Sequence, residues 1–369
     1  MKLRIERKTL LKGVGRTLGV VDRRGSMPVL SHFLLEAAEG QATITATDLE
    51  VSFRGVYPAQ VEEAGGLCLP AHYLHNLVKK VSGDFLDLTT GEESKLQIQV
   101  GKYHYQVLGL PAYQFPSIPE VGDQAVSEVE SKLLREMIGK IIFSVCTDDL
   151  QRHLCGVLWE KVDDSQLRLV STNGHRLTLI QRELPVAIED RVLVPRKGMT
   201  EISRLLTGVN KVGLGLTKEN LVLKTDQESL FVRLSDEKFP DYRRVIPESF
   251  AFRFRVNRLV LHDTIERISL LSKERVRGVV LNLGHDQLEV NFQNPEVGEG
   301  RELLPLTLEA GDDSRLPVQV GFNARYLLEP LAVMKSEEVL LELNDQNRPV
   351  RLTDGNDPNY FGVIMPMAL

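Results

Sequence analysis

The chain lacks the features that mark several whole classes of protein. No apolar run approaches the ~20 residues needed to cross a bilayer. The opening stretch, MKLRIERKTLLKGVGR, is charged throughout and has no apolar core, so secretion is not expected. There are only three cysteines, Cys68, Cys146 and Cys155. They share no metal-type spacing, and an odd count is a poor disulfide framework. They read as reduced intracellular thiols, buried as small apolar residues. Catalytic signatures are missing too: there is no GxGxxG after a strand, no GxxxxGKS/T, no HExxH, no GxSxG and no CxxC. Asp148 and Asp149 with His153 suggest a metal cluster at most, and a polar turn explains them better, because a metal site needs three or four converging ligands. Asp312-Asp313 beside Gly311 reads as a turn. His72 and His75 read as a helix face. No cofactor and no metal are expected.

What is present is soluble globular material: 369 residues, 42% hydrophobic and 26% charged, enough for two or three domains. One element order is repeated three times. Amphipathic segments at 6–21, 130–145 and 256–271 open each pass, with apolar residues such as Leu134, Met137, Ile138 and Ile141 at helical spacing. Strand-like runs follow at 27–37, 150–160 and 276–283, then at 42–53, 167–180 and 287–294. A second short helix is predicted at 69–81, 194–206 and 320–334. Further strands close each pass, the first two at Phe115-Pro116 and FPDYRRV (239–245), the third at the tail ending Met365-Pro366-Met367. The period of about 120–125 residues suits an independent α+β domain, not a solenoid unit. Turn-rich stretches near 122–125 and 247–250 place domains at 1–122, 123–247 and 248–369.

The formal charge of −6 lies wholly in the last third; basic and acidic residues balance through residue 246. Yet basic residues recur on the predicted helices of all three passes. Lys8, Lys12 and Arg16 are followed by Lys79-Lys80, then Lys132, Arg135 and Lys140, then Arg196-Lys197 and Arg204, then Arg258, Arg267 and Arg325. Two readings stand side by side: ordinary solvated faces, or a positive lining that would attract duplex DNA through its phosphates without reading sequence. His175, in the polar interruption TNGHR, is equally a local turn or a binding rim.

The whole chain resembles the bacterial β sliding clamp family, the processivity subunit of DNA polymerase III. The carriers are TDLE (47–50), NGHRL (173–177), VPRKG (194–198), FPDYRRV, RGV (277–279) and MPM (365–367). The resemblance implies an α+β fold of three repeated DNA-clamp domains, with helices on one face of antiparallel sheets. It also implies a head-to-tail homodimer closing a six-domain ring. The implied function is that of a DNA polymerase processivity factor, without enzymatic activity, that encircles double-stranded DNA. Its implied partners are the replicative polymerase alpha subunit, the clamp loader, other polymerases and repair factors, all carrying clamp-binding peptides. No membrane is involved, and the location implied is cytoplasmic, on the nucleoid.

Carried over by motif, the partner-peptide groove comprises Leu154, Thr172, Gly174, His175, Arg176 and Leu177; Pro240, Arg244 and Val245; Asn323 and Tyr326; and Val363, Ile364, Met365, Pro366 and Met367. DNA contacts are implied for Arg24, Arg152, Arg196 and Lys197. The implied dimer interface joins the first domain of one chain to the third of the other. Lys79, Lys80, Lys102, Tyr105 and Val107 are expected to meet Leu270, Leu271, Glu296, Glu299 and Glu302 there, with the lysines facing the acidic third domain. The chain departs from the family pattern at Arg152 and His153, at Val276 and at Ala368, which puts individual DNA contacts in doubt. The first domain, whose Phe115-Pro116 lacks a following DYRR, is expected to have the fold without the groove. Two other readings remain open: a clamp paralogue serving a repair or resistance pathway, and a metal-dependent phosphoesterase using Asp148, Asp149 and His153.

Overall fold

The computed structural model describes residues 1–22, 25, 27–119, 126–185, 188, 190–217, 219–271, 278–294 and 298–367. Arg24, Val276, Glu296, Ala368 and the first predicted boundary lie outside them. The first pass runs β1 (Lys2–Glu6), α1 (Arg7–Thr17), β2 (His32–Ala38), β3 (Gln41–Thr47), β4 (Val51–Pro58), β5 (Gln60–Glu63), β6 (Gly65–Pro70), α2 (Ala71–Lys80), β7 (Phe85–Thr90), β8 (Lys95–Val100), β9 (Tyr103–Leu108) and β10 (Leu110–Pro111). The second runs β11 (Ser127–Glu130), α3 (Ser131–Ile141), β12 (Gly156–Lys161), β13 (Gln166–Thr172), β14 (Arg176–Glu183), β15 (Arg191–Pro195), α4 (Arg196–Leu205), β16 (Lys211–Leu216), β17 (Asn220–Lys224) and β18 (Glu228–Arg233). The third runs β19 (Phe252–Asn257), α5 (Arg258–Ser269), β20 (Gly278–Leu283), β21 (Gln287–Asn294), β22 (Gly298–Pro305), β23 (Thr307–Ala310), β24 (Val318–Asn323), α6 (Ala324–Val333), β25 (Glu338–Leu343), β26 (Val350–Asp354) and β27 (Asp357–Ile364). Among the described residues no helix is long and apolar enough to cross a membrane.

The chain forms two compact units, residues 1–132 with 197–234, and residues 133–196 with 235–369. Strand pairing explains why three passes give two units. In the first unit, β18 of the second pass pairs with β4 of the first, Leu230 opposite Phe53, making a nine-stranded antiparallel sheet ordered β10-β6-β2-β3-β4-β18-β17-β16-β11. In the second, β27 pairs with β14, Val363 opposite Leu177, in the sheet β15-β12-β13-β14-β27-β26-β25-β19-β23. Each unit adds a smaller sheet, β5-β1-β7-β8-β9 in the first and β22-β21-β20-β24 in the second.

Strand burial follows position. β8, near the edge of its sheet, alternates buried and exposed, whereas Arg176 through Ile180 of β14 are buried on both faces because residues 239–246 pack over one face and 143–144 over the other. Helices cover the sheets in pairs. α1 packs beside α2 on β1, β3 and β4, and α5 beside α6 on β19 to β22, each pair bridging the two sheets of its unit.

Candidate functional site

The site in the second unit starts from a hairpin turn. Between β13 and β14, the Thr172 hydroxyl donates to the Arg176 carbonyl at 2.7 Å and accepts from the Gly174 N–H at 3.1 Å. Asn173 Oδ1 accepts from the His175 and Arg176 N–H groups, both at 3.1 Å. Gly174 sits at φ +85°, where a residue without Cβ is favoured. The turn leaves His175 exposed and sends Arg176 and Leu177 inward.

The segment 239–246 folds over this sheet because its aromatics alternate in role with its polar residues. Phe239 packs on the cluster of Leu158, Val170, Leu177, Leu179, Tyr242 and Val363. The buried Tyr242 hydroxyl donates to Glu160 at 2.6 Å and accepts from Arg168 at 3.0 Å, while Arg243 pairs with Glu160 at 2.7 Å. Burial pushes the Glu160 carboxyl up, but the Tyr242 and Arg243 hydrogen bonds outweigh it and hold the group below its ordinary value. Burial, then the bond to Glu160, pushes the Tyr242 phenol up. With Tyr242 pinned, Pro240, Asp241 and Val245 face the solvent side of the sheet.

The chain end closes the third side. After β27, the Met365 N–H donates to the His175 carbonyl and the Met367 N–H to the Gly321 carbonyl, each at 2.9 Å. The result is a cleft of ≈ 180 Å³. Leu154, Thr172, Gly174, Arg176 and Leu177 line it from one side, Pro240 and Val245 from another, Val363 and Met365 from the third. His153, Asp241 and Tyr242 line it as well, and sequence reasoning had not placed them there. Asp241 and Tyr242 lie inside FPDYRRV, so that motif carried the signal.

The other expected groove residues surround the cleft. His175 stacks with Tyr326, ring centroids 6.3 Å apart. Arg244 pairs with Asp241 at 3.0 Å and borders an adjoining depression that shares Val245 and Met365 with the cleft. Asn323 caps α6, its side chain accepting from the Arg325 N–H at 3.1 Å. Ile364 is buried, with its side chain on the opposite face of β27 from Val363. Pro366 is half-buried and Met367 exposed. Arg176, 5% exposed, holds the floor together: it pairs with Glu329, donates to the Phe143 carbonyl, and lies 4.6 Å from the Tyr326 ring centre and 5.2 Å from that of Phe143. Burial pulls its pKa down against the opposing Glu329 charge. Apolar walls with a few fixed polar groups suit an extended peptide with apolar anchors.

The basic residues separate into two groups. Lys197 pairs with Asp48 and donates to the Val20 carbonyl, and Lys12 and Arg16 share the buried Glu228. Lys140, expected on a helix face, is instead buried against Asp357 and the Tyr360 ring. Arg204, Arg258, Arg267 and Arg325 are likewise held within the chain. Arg196 is exposed. Lys8, Lys79, Lys80, Lys132, Arg135 and Arg152 are exposed and have no ion pair among the described residues.

Of the residues expected at a dimer interface, Lys102 and Tyr105 are exposed on or beside β9, and Val107 of that strand is buried. Leu270 is 71% exposed, Leu271 half-buried, Glu299 exposed, and Glu302 is paired with Arg267 of its own chain. Asp148, Asp149 and His153 do not gather as metal ligands; Asp148 caps the Leu150 N–H at 3.0 Å. Among the described residues the one such group is His262, Asp263 and Glu266, at the surface of α5.

Family models for the DNA polymerase III beta subunit match along the chain: the N-terminal domain over 1–119, the central domain over 128–241 and the C-terminal domain over 243–368. The chain is 36% identical to the beta sliding clamp of Pseudomonas putida and 29% identical to that of Escherichia coli, with 100% of both chains covered in each case. Among solved structures it is similar to the DNA polymerase III subunit beta from Pseudomonas aeruginosa (33% identity, TM-score 0.91). It is also similar to a sliding clamp from Bartonella birtlesii bound to griselimycin (30%, TM-score 0.93), both matched over 100% of each chain.

Proposed function

The chain belongs to the DNA polymerase III beta subunit family, the bacterial sliding clamps, and from that premise we propose how its parts serve a clamp. It is a non-catalytic processivity factor. On this reading, 1–122, 123–247 and 248–369 are three clamp domains, and two chains join head to tail in a ring around duplex DNA.

One observation supports the ring above the others. Within the chain, the last strand of one pass twice completes the sheet of the pass before it, β18 on β4 and β27 on β14. By the same rule β9, the last strand of the first pass apart from the two-residue β10, would join the fourth strand of the third, β22. Among the described residues both are sheet edges with no second neighbour. Such unpaired edges invite a second chain, and a copy joined this way closes two-fold into six domains. Lys79, Lys80, Lys102 and Tyr105 with Leu270, Leu271, Glu299 and Glu302 then flank the joint.

DNA inside the ring would meet the exposed cations Lys8, Lys132, Arg135 and Arg152, with Arg196, through sequence-independent phosphate contacts that permit sliding. The cleft at His175, Arg176, Pro240 and Met365 would take the peptides of the polymerase alpha subunit, the clamp loader and repair factors, in the cytoplasm on the nucleoid. The test is retention of the loaded protein on nicked circular DNA. The expected result is loss of that retention once the circle is cut, because only a topological link behaves so. Equal retention on circular and linear DNA would exclude the ring.

A further inference from the structure

Two of the three cysteines, unpromising by spacing, meet in the second unit. The Cys146 N–H donates to the Leu154 carbonyl at 3.1 Å, so one backbone hydrogen bond separates the main chains of Cys146 and Cys155. Both thiols turn to one acceptor, the Asp148 carbonyl oxygen, which lies 4.0 Å from Cys146 Sγ and 3.2 Å from Cys155 Sγ. Cys146 Sγ also accepts from the Asp148 N–H at 3.4 Å. Main chains one hydrogen bond apart match the Cα spacing of disulfides, about 4.4–6.8 Å. The two sulfurs gather round one peptide unit, each within 4.0 Å of the same carbonyl oxygen. Cys146 is 6% exposed, whereas Cys155 is reachable from solvent.

We propose that Cys146 and Cys155 are a reversible redox pair, oxidised by peroxide to a disulfide that straps the segment bearing Arg152, His153 and Leu154. The Cys155 thiolate attacks one peroxide oxygen; the O–O bond breaks and, after protonation, water leaves behind a sulfenic acid. The Cys146 sulfur then displaces the sulfenic oxygen as a second water. Two thiols lose two electrons and two protons in all, and one hydrogen peroxide becomes two waters. Burial, the neighbouring Cys146 thiol and the Asp148 and Asp149 charges push the Cys155 thiol up. The reaction is therefore slow near neutral pH and quickens as pH rises. Cys68 supplies an internal control. It is buried beneath β10, its sulfur donating to the Pro111 carbonyl at 3.6 Å, and burial pushes its pKa up to about 11.

The test uses the full chain, treated with hydrogen peroxide while folded, then unfolded in urea, blocked with iodoacetamide and digested with trypsin without reduction. Cleavage after Arg152 separates the two cysteines, so the bond appears as two linked peptides that part on reduction. The linked pair is expected in the wild type and absent from C146S and C155S. Thiol titration should fall from three groups to one, with Cys68 still alkylated, and at a rate that rises with pH. Sulfinic or sulfonic acid at Cys155 with Cys146 still alkylated would overturn the proposal, as would three unchanged thiols. Neither readout depends on clamp function.

Discussion

The turn at 47–50 in the first unit and the turn at 172–175 in the second are built alike. In both a threonine hydroxyl accepts from the N–H two residues on, and an Asx oxygen accepts from the next two N–H groups. In both the third residue is left-handed, Leu49 at φ +78° and Gly174 at +85°. In both the following strand joins a strand from the next pass, and a carboxylate on that strand pairs with the opening helix, Glu228 with Lys12 and Arg16, Asp357 with Lys140. They differ in what fills the corner. In the first unit the Lys197 ammonium sits on Asp48, and Gly198 lets β18 come close. In the second, Arg325 stands in the place of Lys197 but pairs with Glu329, leaving the neutral Asn173 without an ion pair among the described residues. The place of Gly198 in the helix is taken by Tyr326, stacked beside His175. One scaffold thus carries either a charged plug or a cleft, and a handful of side chains decide which.

The largest contrast lies in the buried carboxylates. Removing Asp357 breaks its pair with Arg182 and leaves Lys140, whose side chain is 4% exposed, only the longer 3.6 Å contact with Glu136, so Asp357→Ala should cost about 3–5 kcal/mol. Glu228→Ala should cost less, about 1–3 kcal/mol, because Lys12 is half exposed and can regain water and Arg16 keeps its bond to the Arg204 carbonyl, which leaves the buried Tyr57 hydroxyl as the group that loses its acceptor. Thermal unfolding of both variants measures this, and an equal or larger loss for Glu228→Ala would mean that exposure of the cations does not set the difference. Burial pushes the Asp357 carboxyl up, yet Arg182 and Lys140 outweigh it and hold the folded value below the ordinary one. Its contribution is therefore complete above the unfolded value of about 3.9 and is lost as pH falls through the folded value. The gap between wild type and Asp357→Ala should be constant from pH 7 to 5 and narrow below about pH 4.

A smaller effect tests the corner itself. A Cβ on Gly198 would lie 2.2 Å from Val232 Cγ1, so Gly198→Ala should cost about 1–3 kcal/mol through overpacking. Tyr326→Ala removes the ring beside His175 and Arg176. It should weaken an apolar partner peptide about tenfold in a fluorescence-polarisation titration, while the melting temperature shifts by less than that of Gly198→Ala. A strong stability loss with unchanged peptide affinity would make Tyr326 a packing residue alone.

Much of this corner was legible in the chain. The polar interruption TNGHR and the aromatics of FPDYRRV act locally, so short motifs carried them, whereas the matching turn at 47–50 was hidden inside a run expected to be one strand, 42–53. The basic faces were not legible. Helical spacing puts Lys140 and Arg135 on a helix but cannot show that the partner of Lys140 is Asp357, 217 residues away. Lys12 and Arg16 were likewise claimed by Glu228, and Lys197 by Asp48. Strand sharing between passes was hidden for the same reason, since each partner lies in a different repeat. The meeting of Cys146 with Cys155 depends on the short helical turn at Asp149–Leu154, which spacing rules do not describe.

The smallest expected effects come from the left-handed residue of each turn. Leu49 has a Cβ in a conformation that costs most residues about 1–2 kcal/mol, and its side chain is 52% exposed, so little packing offsets that cost. Leu49→Gly relieves the strain but adds freedom to the unfolded chain, about 0.5–1 kcal/mol. The net expectation is a gain of about 0.5 kcal/mol. Gly174→Ala runs the opposite way. A Cβ there meets nothing within 4 Å, so the loss, about 1 kcal/mol, comes from handedness alone. Opposite signs in matched chemical melts would show that the two turns share a backbone requirement, met well in one unit and poorly in the other. If both changes are silent, the likeness of the turns rests on their hydrogen bonds, and Leu49 carries no strain for the first unit to shed.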